Sequence, residues 1–133
     1  MRISMRKERD PEPKLKVRST SAKPGLYITF ALSGELDSGS VSVLCNETST
    51  AMAAGSRHVM LDLSRVTRCD NASLYTILGI RHALQHAGGS LTLTAPTVVV
   101  RDAVEGSGLG VLLTFTDQLE ELSPLLEALE QLD

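Results

Sequence analysis

A chain of 133 residues with 42% apolar side chains fits one domain with a continuous core and leaves no room for a second. Aromatic residues make up 3% and Trp is absent, so the core must come from Leu, Val, Ile and Ala, and stacking platforms for single-stranded nucleic acid are scarce. The net charge of −3 argues against a duplex-binding domain, which carries a basic surplus to neutralise phosphates.

Residues 1–13 are charged, proline-punctuated and aperiodic, which predicts a flexible N-terminal tail ahead of a domain over 14–133. Strand-like runs at 15–18 and 26–32, with Lys23-Pro24-Gly25 between them, predict an antiparallel hairpin. Val41, Leu44, Cys45, Thr48 and Met52 then recur at helical spacing, placing a first helix over 41–54. Residues 57–63 form a short, nearly continuous apolar run, the pattern of a central strand covered by helices on both faces. A polar stretch, 64–70, leads to the best-defined helix, in which Leu74, Ile77, Ile80, Leu84 and Ala87 recur until Gly88-Gly89 stops it.

Residues 91–94 alternate and read as the next strand, followed by a short helix over 98–105 that Gly106-Ser107-Gly108 ends. Residues 111–115 supply a last strand, and 117–132 a last helix with Leu119, Leu122, Leu126 and Leu129 on one face. Pro124 is tolerated only in a first turn, so the body of that helix can begin at Ser123-Pro124. The order ββαβαβαβα predicts a single α/β domain, with a mixed sheet of about five strands flanked by about four helices.

Chemistry is sparse. Cys45 and Cys69 lie on different elements without C-x-x-C spacing, which suggests neither a zinc site nor a redox dithiol. His82 and His86 are four apart on one helix face, but no third ligand is evident, so no metal and no cofactor are expected. Gly106-Ser107-Gly108-Leu109-Gly110 follows a helix and precedes a strand, the reverse of the dinucleotide-binding order, and reads as a helix stop. No Gly-x-Ser-x-Gly or other nucleophile arrangement is present, and an enzyme is not expected. The first residues, Met1 to Arg9, lack the apolar region of a secretory signal, and no apolar stretch approaches the roughly 20 residues of a membrane span, so a cytoplasmic location is expected. The C-terminal segment gathers Asp117, Glu120, Glu121, Glu127, Glu130 and Asp133 without Lys or Arg, which reads as a solvated face.

Two acidic positions stand out. Asp70 or Asn71 can cap the helix that follows, and Asp37 or Ser38 can cap the first helix. Capping is the reading that physics alone favours. A helix start reached by a short loop is also a prepared place for a partner's side chains, and crossovers in an α/β layer would bring Asp37 and Asp70 to one end of the sheet.

The order and spacing of several segments resemble the STAS domains of anti-sigma-factor antagonists. Ser33-Gly34-Glu35-Leu36-Asp37 resembles that family's strand-ending Gly-x-Leu-Asp, and residues 59–67 its central strand and turn. Cys69-Asp70-Asn71-Ala72-Ser73-Leu74 occupies the place of its Asp-Ser-Ser/Thr-Gly-Leu, and Ala87-Gly88-Gly89-Ser90-Leu91 resembles its helix-to-strand turn. The resemblance implies a partner, an anti-sigma factor of the serine-kinase type with a histidine-kinase-like ATPase fold, and a switch in which that kinase phosphorylates the antagonist. It places the phosphoacceptor on Ala72, which has no hydroxyl, with Asn71 and Ser73 replacing the flanking residues. The expectation is therefore a binding module without the usual switch, whose recognition surface is Asp37, Asp70, Asn71, Ala72 and Ser73. Ser73 is the less favoured substitute acceptor, because one residue along a helix turns a side chain by roughly 100°. The alternatives are a STAS-like scaffold subunit or small-ligand sensor, since fold does not fix function.

Overall fold

The structure, a computed structural model, describes residues 13–23 and 26–115. The expected tail up to Glu12, the Pro24-Gly25 turn, the last helix over 117–132 with its Pro124 and the acidic C-terminal segment lie outside the described residues.

Strands β1 (Leu15–Lys23) and β2 (Tyr27–Leu36) pair antiparallel with Val17 opposite Leu32 and Ser19 opposite Phe30. Leu15 and Val17 turn inward while Lys16 and Arg18 turn outward, the alternation of a half-buried strand. Gly34, at φ 115°, sits where an added Cβ would collide with the Lys14 carbonyl, so the hairpin can close tightly there only around glycine.

Helix α1 (Val41–Ala53) buries Val41, Leu44, Thr48 and Ala51. The buried Thr48 hydroxyl is satisfied by donating to the Leu44 carbonyl at 2.8 Å. Strand β3 (His58–Cys69) runs parallel to β2 and is the longest strand described. The stretch 64–70, expected as polar loop, is strand as far as Cys69. The reason is two bulges: Ala31–Ser33 faces Asp62–Arg65 and Gly34–Glu35 faces Val66–Arg68, each inserting one extra residue into β3. The buried positions therefore fall at Val59, Leu61, Leu63 and Val66, and the period of two is lost to a sequence reader after Leu63.

Helix α2 (Asn71–His86) buries Ser73, Leu74, Ile77, Ile80 and Leu84. It ends at Gly88, φ 85°, and Gly89, whose amide reaches the Leu84 carbonyl at 2.7 Å. Strand β4 (Ser90–Thr94) pairs parallel with β3, giving the order β1-β2-β3-β4 in a mixed sheet. Helix α3 (Val98–Ser107) is capped by Thr97, whose hydroxyl also donates to the Val66 carbonyl at 2.9 Å and so ties the helix to β3. Gly108 in the left-handed conformation stops α3, as expected.

The expected fifth strand is reduced to a single parallel bridge between Leu93 and Phe115. Residues Leu109–Val111 form a 3-10 turn instead, and the Leu113 amide donates to the Leu109 carbonyl at 2.8 Å. Leu109 and Leu113 are the buried pair, four apart, while Val111 and Leu112 between them are exposed. That is the spacing of a turn, not of a strand.

Phe30, Leu32, Val59, Leu61, Leu63 and Leu93 meet the apolar stripes of the helices in one core. They all come from one face of the sheet. Among the described residues the expected cover of β3 on both faces is found on one only: Met60, on the opposite face, is 37% exposed, and it lines a groove of about 490 Å³ with Tyr27, Thr29, His58, Ser90 and Thr92. The run Val59-Met60-Leu61-Asp62-Leu63 reads as nearly continuously apolar because methionine occupies one of its outward positions.

Candidate partner-binding site

Strand β2 ends at Leu36, and the next four residues turn into α1. Asp37 organises this turn. Its Oδ1 accepts from the amides of Gly39 at 2.8 Å and Ser40 at 3.0 Å, while its carbonyl accepts from Val41 at 2.9 Å. Ser40 answers it, accepting from the Asp37 amide at 3.0 Å and donating to the Glu35 carbonyl at 2.7 Å. Ser40 is the residue at the N-cap of α1 and makes no side-chain cap bond, so Asp37 closes an Asx turn just before the helix and does not cap it.

The second carboxylate oxygen of Asp37 pairs with the Lys14 ammonium at 3.2 Å. The Lys14 hydrogen bond holds the Asp37 carboxyl below the usual carboxylate range, against the opposing effect of burial and with help from the Gly39 amide. Lys14 carries no local sequence signal for this role, because it lies 23 positions away.

Strand β3 delivers Asp70 to the same end of the sheet, its amide donating to the Leu36 carbonyl at 3.2 Å. Asp70 is the N-cap of α2, with extended backbone, and its Oδ1 accepts from the Ser73 amide at 2.8 Å. Its other oxygen accepts from the Ser38 amide at 3.2 Å. One carboxylate thus satisfies the start of α2 and holds the β2–α1 turn beside it. Asp37 and Asp70 flank one surface, but both are occupied in building it.

Asn71 and Ala72 follow as the first two residues of α2, both exposed. Ser73 is fully buried. Its hydroxyl lies 3.1 Å from the Leu36 carbonyl and 2.8 Å from the Asp70 carbonyl, so its proton is committed to the backbone. Its side chain presents nothing to the surface, and of the five expected residues it stands apart as a packing residue. Burial pushes the neighbouring Cys69 thiol up, opposed by the Ser73 hydroxyl and reinforced by the nearby Asp70 charge, which keeps the sulfur protonated and a poor nucleophile at neutral pH.

Tyr75 was not singled out by the sequence. It is 57% exposed and lies three residues beyond Ala72, hence on the same face of α2. The available signal was its rarity, one of four aromatic residues, at a position off the stripe Leu74, Ile77, Ile80 and Leu84.

His82 and His86 sit edge to face at 4.4 Å between ring centres, both exposed. His58 stacks on Tyr27 and places Nδ1 2.9 Å from the Ser90 hydroxyl. No group of three potential metal-ligating residues occurs among the described residues, and no helix among them is long and apolar enough to cross a membrane.

A mixed sheet with the described helices packed on one face and two helix starts joined at Asp70 define a class. The chain belongs to the STAS-domain family: the family model described as "Mlab, STAS domain" matches residues 20–114. The fold is shared with the anti-sigma factor antagonist SpoIIAA in its unphosphorylated form, at a TM-score of 0.65 and 21% identity, over 84% of this chain and 97% of that one. The phosphorylated form of SpoIIAA, described as a Bacillus cell fate determinant, aligns at a TM-score of 0.59 and 21% identity, over 83% and 99% of the two chains. An anti-sigma factor antagonist from Mycobacterium paratuberculosis aligns at 0.66 and 18% identity, over 85% and 97%. No protein of curated function matches by sequence.

Proposed function

We propose that the chain is a cytoplasmic anti-sigma-factor antagonist, a binding protein and not an enzyme, that captures an anti-sigma factor of the serine-kinase type with a histidine-kinase-like ATPase fold. By doing so it regulates sigma-dependent transcription. The observation that carries this reading is the joined surface at Asp70, where the exposed Asn71 and Ala72 are held rigidly beside the Asp37–Ser38 turn. Two grooves, one lined by Tyr27, His58 and Met60 and the other by Lys16, Arg18 and Arg65, lie apart from Asp37 and Asp70. An exposed surface preorganised by these hydrogen bonds suits a protein partner.

The recognition surface consists of Asp37, Asp70, Asn71 and Ala72, with Ser73 supporting it from below. Ala72 leaves the usual acceptor position without a hydroxyl. The reading is tested by titrating purified ATPase-fold anti-sigma proteins of the host against the chain and against Ala72→Arg, by calorimetry. Binding that the bulky cation abolishes supports it, and binding unaffected by Ala72→Arg places the interface elsewhere.

The second reading, a scaffold subunit or small-ligand sensor, is favoured by the groove around Tyr27, Met60 and Ser90 at the opposite end of the strands. It predicts that a Met60→Arg variant loses its function while Ala72→Arg keeps it.

A further inference from the structure

We propose that the open face of the sheet is a second docking surface, one that takes an acidic amphipathic helix of a partner protein. It lies apart from the helix starts at Asp70 and does not depend on the antagonist reading. Strand register sets out this face. Tyr27, His58 and Ser90 stand side by side across β2, β3 and β4, and in the next row Met60 stands between Thr29 and Thr92. Arg18, Ala31 and Asp62 share the row after that, and Lys16, Ser33 and Arg65 the last. Alternation along the strands turns these side chains away from the core that Phe30, Leu32, Leu61 and Leu63 fill.

The two halves of the face differ in chemistry. Tyr27, 45% exposed, and Met60 offer an apolar patch beside the hydroxyls of Thr29, Ser90 and Thr92. The other half is basic. Lys16, Arg18 and Arg65 line one groove against the carboxylate of Asp62, whose Oδ1 already accepts from the Ser64 amide at 3.0 Å. Neither Arg18 nor Arg65 has a hydrogen bond or ion pair with the described residues. Arg68, the next cation along β3, differs, since the register sets it opposite Glu35. In a chain of net charge −3, two unpaired guanidiniums in one groove select carboxylates.

The layout also fits the shape of the occupant. Strands β2, β3 and β4 are parallel, and parallel strands are ordinarily covered by helices on both faces. Small side chains lie beside the cations, Ala31 next to Arg18 and Ser33 between Lys16 and Arg65, so a partner's carboxylates can come down onto the guanidiniums. From Tyr27 to Ser33 the face runs roughly 20 Å. About 13 residues of helix span that length. Such a helix sets leucine-sized side chains on Tyr27 and Met60 and, toward its other end, Asp or Glu on Arg18 and Arg65.

The probe is a synthetic helical peptide of about 14 residues, with leucines along one face and glutamates toward one end, titrated by calorimetry against the full chain. A peptide with lysines for the glutamates is its control. The expected result is binding of the glutamate peptide, no binding of the lysine peptide, and a loss of about tenfold or more in the variant Arg18→Glu, Arg65→Glu, which gains affinity for the lysine peptide. Both arginines are exposed, so thermal melting of that variant should match the native chain. Ala72→Arg should bind the peptide as the native chain does. No binding of the glutamate peptide, equal binding by the double variant, or a loss in Ala72→Arg overturns the proposal. Binding seen only after the acidic residues of 117–133 are neutralised would make this chain's own C-terminal segment the occupant. Dimers in sedimentation that the double variant loses would make it a second copy. Either result overturns the partner helix.

Discussion

The amide of Ser38 donates to the carboxylate of Asp70 across 32 positions of sequence, joining the turn before α1 to the N-cap of α2. The same carboxylate caps α2 through the Ser73 amide. A residue expected to present charge to a partner is thus also the fastening of the surface on which the partner would dock.

Removing that fastening should cost stability before it changes recognition. Asp70→Ala loses both the cap and the Ser38 contact and should destabilise the domain by about 1–2 kcal/mol, measured by urea unfolding. Asp70→Asn retains an oxygen acceptor and should lose less. A null effect of Asp70→Ala would mean that the two bonds do not form in solution. Charge reversal to Lys is a poor probe of recognition alone, because it breaks the same contacts.

Ser73→Ala separates packing from phosphorylation. Its hydroxyl bonds the Leu36 carbonyl, which keeps the Asp70 amide as a donor, so the variant should lose about 1 kcal/mol of stability, the typical net worth of one hydrogen bond. Its uptake of phosphate from the kinase should equal that of the native chain. A phosphate signal that the native chain shows and Ser73→Ala loses would make Ser73 the acceptor.

The Lys14–Asp37 pair sets a pH dependence. The folded Asp37 carboxyl is more acidic than an ordinary aspartate, so the pair contributes stability that is present above the ordinary aspartate pKa and is lost as pH falls through the lower, folded pKa. Lys14→Gln should therefore be slightly less stable than the native chain near neutral pH, and the gap should close in acid. The 60% exposed lysine makes the effect small and salt-sensitive. Urea midpoints of the two proteins across the acid range, at low and high salt, measure it; a gap that widens in acid would reverse the sign.

Tyr75 should matter to binding and not to folding. With its ring 57% exposed, Tyr75→Ala should change stability by no more than about 0.5 kcal/mol. Exposed tyrosines beside an interface centre often become hot spots, so the same variant should weaken anti-sigma capture by about 2 kcal/mol, read by calorimetry. Equal affinity of the variant would confine the interface to the loop and the first turn of α2.

The residue pattern by itself determined the alternation of strands and helices, the start and stop of α2, the glycine stop of α3 and a cap at Asp70 or Asn71. These depend on neighbours within a turn or a strand's length, where periodicity and capping chemistry are local. The extension of β3 to Cys69 was hidden because two bulges break its period of two after Leu63 and move the next inward position to Val66. The loss of the fifth strand was hidden because an apolar run such as Val111-Leu112-Leu113 suits a strand or a turn until its partners are known. The site divides in the same way. Asn71 and Ala72 were legible as the exposed start of a helix. The burial of Ser73, the pairing of Lys14 with Asp37 and the hold of Asp70 on Ser38 were not, since each joins segments that only the sheet register brings together.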